Sequence, residues 1–123
     1  MEKNSLFELI FDVARGKPPL GIAMERLQDP YDIKRFFVGY VEWNGGYSTL
    51  TGRHLSSPQE RTKENYFRIA MKNVLDRADT PLGSRQLLSR WKSALSDVTA
   101  QTTLADIEQR HEDSRLYDPP PSI

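Results

Sequence analysis

The chain contains no cysteine, which excludes a disulfide framework, a thiolate zinc site, an iron–sulfur centre and a cysteine nucleophile, and fits a reducing compartment. Net charge is missing as well. The 17 Lys and Arg balance 17 Asp and Glu, which removes the simplest argument for a general nucleic-acid or anionic-membrane binder. Long hydrophobic runs are also absent. The longest uncharged apolar stretch, Phe36 to Val41, is far shorter than the ~18 residues a membrane-spanning helix needs. Glu8 and Asp12 interrupt the apolar start of the chain, where a secretory signal would need ~7–15 uncharged residues. A cytoplasmic protein that does not enter the membrane is expected.

Motifs for bond chemistry are equally scarce. Ser84 lacks the flanking glycines of a nucleophile elbow, and Gly16-Lys17 is followed by proline where a phosphate loop needs Ser or Thr. Glu108 and His111 have the spacing of half a carboxylate-bridged di-iron site. The second Glu-x-x-His is missing, and the chain's only other histidine is His54. His111-Glu112 does not extend into a zinc-protease motif, because Arg115 stands where the second histidine belongs. No enzyme, cofactor or metal is expected.

What is present is a helical pattern in 123 residues, a length that buries about two thirds of its unfolded surface in one core. The expected fold is an all-α single-domain bundle of five or six helices over residues 1–113. A Pro-rich acidic tail, 114–123, follows. The first helix is expected from Ser5, capped reciprocally by Glu8, to about Arg15. Its apolar residues cover more than one stripe, so it either sits centrally or docks on another chain. A short helix over residues 20–28 follows the Pro18-Pro19 break. Asp29-Pro30 then reads as N-cap and first residue of a third helix carrying Ile33, Phe36, Phe37, Tyr40 and Val41 at helical spacing. A β-hairpin around residues 36–51, turning at Asn44-Gly45, is its rival.

Further on, Ser57, Pro58 and Glu60 predict the start of a long helix to about Ala78, and Ser84 to Val98 a second. These two are expected to pack as an antiparallel pair, with Trp91 in the core. A weaker helix over 104–113 is capped by Thr102 or Thr103. The stretch from Ala78 to Trp91 looks somewhat like the turn and recognition helix of bacterial DNA-binding proteins, although Gly83 lies one place late and Leu82 stands where the turn glycine belongs.

Charge is unevenly spread. Residues 61–95 hold eight basic and three acidic side chains, whereas residues 96–123 hold two basic and six acidic. Arg61, Arg68 and Lys72 fall near one line of the long helix, and Arg85 and Lys92 share a line on the next. These five residues form a candidate face for an anionic partner or nucleic acid, over which the acidic end of the chain could fold. The bland alternative is a pair of solvated helix faces. Trp43 and Tyr47 flank the Asn44-Gly45-Gly46 turn and are candidate protein-partner contacts, although large aromatics more often find partial cover. The expected function is that of a small non-enzymatic interaction protein, an adaptor or accessory subunit that docks on a protein partner or on its own copies. The alternative is a nucleic-acid-binding or nucleoprotein accessory role for the basic helix pair.

Overall fold

The computed structural model describes residues 1–44, 46, 57, 59, 62–80 and 84–117. Among these residues there are six helices and no strand: α1 (Lys3–Ala14), α2 (Leu20–Arg26), α3 (Pro30–Trp43), α4 (Lys63–Ala78), α5 (Arg85–Ala94) and α6 (Leu104–Tyr117). The expected all-α bundle is therefore the observed fold.

α3 is the central element, and α1, α5 and α6 all pack on it. Asp29 caps it through a carboxylate that accepts the Tyr31 N–H at 2.8 Å, with Pro30 in the first turn as expected. Residues Phe36 to Trp43 continue the helix, so the rival hairpin does not form. Asn44 and Gly46 end it instead: Gly46, at φ +104°, donates its N–H to the Val41 carbonyl at 2.8 Å. Tyr47 and the proposed return strand lie outside the described residues.

α1 starts at Lys3 rather than at the expected cap Ser5, which lies inside the first turn; the N-cap is Glu2, without a side-chain bond. Long-range contacts hold this end. The terminal ammonium lies 3.2 Å from Asp32, Arg35 donates to the Met1 carbonyl at 2.8 Å, and the buried Asp32 and Arg35 side chains pair with each other. At its other end α1 closes in a Schellman motif. Gly16, at φ +87°, donates to Val13, and Lys17 donates to Asp12, both at 2.9 Å.

The core gathers on α3. Trp91 is fully buried as expected; its ring meets Phe36 edge-on at 6.1 Å, and its indole N–H donates to the Met24 carbonyl at 3.3 Å. Arg90 similarly donates to the Leu27 carbonyl. The Met24 carbonyl, which already accepts the Leu27 N–H at 3.3 Å, thus takes a second bond, and α5 fastens the end of α2 at two carbonyls. Gly39 permits the closest approach: a Cβ there would stand 2.8 Å from Ile10 Cδ1 and 3.7 Å from Leu104 Cδ1.

Other helix boundaries differ from expectation, among them the end of α2, at Arg26 rather than residue 28. α4 begins at Lys63, because Thr62 supplies the cap to the Asn65 N–H at 3.2 Å. α5 stops at Ala94, where Ser96 donates back to the Ser93 carbonyl at 2.8 Å and the chain turns through tighter bonds before buried Val98. α6 runs past 113 to Tyr117. Thr103 and Asp106 cap it reciprocally, and the Asp106 carboxyl is held below its ordinary pKa by the Thr103 N–H first and the Thr103 hydroxyl second. Rather than folding over the basic pair, α6 packs chiefly on α3. His111 stacks on Tyr31 at 3.7 Å and Glu108 pairs with Lys3 of α1 at 3.0 Å. No helix among the described residues is long and apolar enough to cross a membrane.

Candidate docking grooves

Two shallow grooves collect the side chains that the core leaves over. The first lies where α1, α3 and the start of α6 meet, a space of about 450 Å³. Its floor is Ile10, Gly39 and Leu104, and its walls are Phe7, Glu42 and Trp43. Phe7 and Phe11 stand one turn apart on α1 and remain 40% and 38% exposed; Trp43, at the end of α3, is 59% exposed. Trp43 is therefore more open than the partial cover expected for it. It touches Phe11 edge-on, with ring centroids 5.3 Å apart.

Charge around this groove is largely spoken for. Lys3 reaches Glu108 at 3.0 Å and Arg15 reaches Asp12 at 3.0 Å, the latter with its guanidinium 4.0 Å from the Phe11 ring centre. Glu42 has no ion pair among the described residues. The groove thus presents an aromatic, apolar surface beside one uncommitted carboxylate.

The second groove, about 390 Å³, runs between α4 and α5. It brings together three of the five cations picked out in the sequence: Arg68 and Lys72, one turn apart on α4, and Lys92 from α5. Met71, Leu75 and Leu88, all half-buried, line it between them. Two carboxylates, Asp76 and Asp79, share the same groove. Arg85 is exposed at the first turn of α5 and does not line the groove, and Arg61 lies outside the described residues. Lys72 and Lys92 carry no ion pair among the described residues, while Arg68 contacts the Asn65 side chain at 3.4 Å.

Sequence reasoning found the cations but not the apolar lining or the two acids beside them. Spacing places residues on a helix face; it does not say that Leu88 of α5 meets Met71 and Leu75 of α4. It flagged α1 as over-apolar without locating Trp43 and Leu104 around Phe7. Among the described residues no group of three His, Asp or Glu could hold a metal ion. Glu108 and His111 are occupied by Lys3 and Tyr31. Compared with known proteins, the chain matches no protein-family model, no curated protein and no solved structure.

Proposed function

We propose that this protein is a cytoplasmic, non-enzymatic adaptor or accessory subunit that docks through the α1–α3 groove on an amphipathic helix of a partner protein. The single observation that carries this reading is the convergence of Phe7 and Trp43 on one apolar depression, with Phe11 set against the Trp43 ring beside it, all three exposed by more than a third. Isolated exposed apolar residues are ordinary; a contiguous aromatic patch on a small domain marks an interaction surface. Rigid aromatics lose little rotamer freedom on binding and dominate measured hot spots. Charge narrows the occupant. Among the described residues Lys3 and Arg15 are already paired and Glu42 is not, so the complementary helix carries Leu, Ile or Phe on one face and a Lys or Arg beside it. Zero cysteine supports the cytoplasmic placement.

Selection from a displayed library of 16-residue amphipathic helices tests the reading. Winners are expected to combine i, i+3, i+4 apolar spacing with a basic residue. Trp43→Ala and Phe7→Ser, both at exposed positions, are each expected to weaken them about 30-fold, the effect of losing a hot spot worth roughly 2 kcal/mol. Glu42→Lys should reject the basic winners. The proposal is overturned by winners that bind these variants equally well, by winners with acidic rather than basic flanks, or by a stable dimer that Phe7→Ser dissolves.

A further inference from the structure

We infer that the α4–α5 groove is a second, independent docking site, and that its occupant is an acidic amphipathic helix of a protein partner. Arg68, Lys72 and Lys92 come from two helices to one depression, and among the described residues neither lysine is neutralised by a carboxylate, although Asp76 stands one turn from Lys72 on the same helix. The acidic helix α6 does not take this place: it packs on α3 and commits Glu108 to Lys3. Between the cations, half-buried Met71, Leu75 and Leu88 offer aliphatic surface that only an apolar side chain can use. From Arg68 to Asp79 the groove follows about three turns of α4, roughly 16 Å at 1.5 Å per residue, the length over which a docked helix presents apolar residues at i, i+4 and i+7.

The two acids decide between the kinds of anionic partner. A nucleic-acid backbone requires an unbroken cationic track, and single strands add aromatic platforms for their bases. Here Asp76 and Asp79 interrupt the track and the lining is aliphatic. A peptide helix satisfies both charges at once, with carboxylates toward Arg68, Lys72 and Lys92 and a basic residue toward Asp76 and Asp79. The site shares no lining residue with the α1–α3 groove, so an adaptor with both could bridge a basic and an acidic helix.

Fluorescence anisotropy with synthetic probes tests this on the intact protein. One probe is a labelled 16-residue Leu/Glu helix ending in Lys; its control has the same composition with the charge order reversed. Others are a 16-nucleotide single strand, a duplex of equal length, and vesicles containing phosphatidylglycerol. The acidic helix is expected to bind in preference to the reversed one. Lys72→Glu and Lys92→Glu should each weaken it about tenfold or more, whereas Arg85→Gln and Trp43→Ala leave it unchanged. Leu88→Gln should weaken it with thermal melting as the check on folding, and a residual affinity in high salt is expected from the aliphatic contacts. Equal binding of the two peptides, or no loss in the lysine variants, overturns the proposal. So does preferential retention of nucleic acid or vesicles that the lysine variants abolish, which would assign the groove to phosphate. Failure of the α1–α3 selection leaves these outcomes unaffected.

Discussion

α3 and α6 are the same length, 14 residues each, and are held by opposite means. α3 buries nine residues, including the uninterrupted run Arg35 to Val41, so it is covered on every side. Among the described side chains α6 commits Ile107 fully and Leu104 in part. Its further anchorage among the described residues includes the lateral Tyr31–His111 stack and Lys3–Glu108 pair, and its start is held by the local Thr103–Asp106 cap. A helix of the first kind cannot leave without unfolding the domain. One of the second kind can open locally, at a free energy well below the global value.

The contrast can be broken at its strongest point first. Phe36→Ala removes the α3 ring that meets Trp91 and should cost about 3–5 kcal/mol, lowering Tm by roughly 10–20 °C in a cooperative melt. A change below 1 kcal/mol would show that α3 is not the keystone. Ile107→Ala is expected to cost about 2 kcal/mol, near the low end for such a truncation, because α6 can undock rather than hold a cavity open. Native-state hydrogen exchange should then rise in α6 while α3 stays protected; a rise in both would erase the distinction.

The smallest effect is expected from acid. The Asp106 carboxyl lies below its ordinary pKa because the Thr103 backbone and hydroxyl bond its charged form. The Glu64 carboxyl, bonded to backbone N–H and to Gln101 at 2.6 Å, is lowered in the same way. A depressed folded-state pKa contributes stability above the unfolded value and loses it as pH falls through the folded one. NMR shifts across an acid titration should therefore report loosening at the start of α6 before α3 responds. Asp106→Asn should remove most of that early change, and simultaneous movement of both helices would contradict the ordering.

Legibility in the sequence followed the range of the forces involved. The starts of α3 and α5 could be read because Asp29-Pro30 and Ser84 act on their nearest neighbours, the serine accepting the Leu87 N–H at 3.1 Å. The end of α3 was ambiguous, since Asn and Gly in that order suit a hairpin turn and a helix stop equally well. The start of α1 was misplaced because a salt bridge 31 residues away in sequence, to Asp32, helps to fix the chain ahead of Lys3. The basic groove was half-visible for the same reason. Helical spacing aligned Arg68 with Lys72 and set Asp76 one turn further along the same helix, but only the packing of α4 on α5 brings in Lys92 and Leu88.

The two tryptophans occupy opposite extremes: Trp91 is sealed against Phe36, while Trp43 stands open at the mouth of a groove. Their intrinsic emission therefore divides into two channels within one unlabelled molecule. In a Trp43→Phe background the remaining indole senses loss of the interior. In a Trp91→Phe background the other brightens or quenches when something arrives at the surface, so folding and recognition can be followed separately by the same lamp.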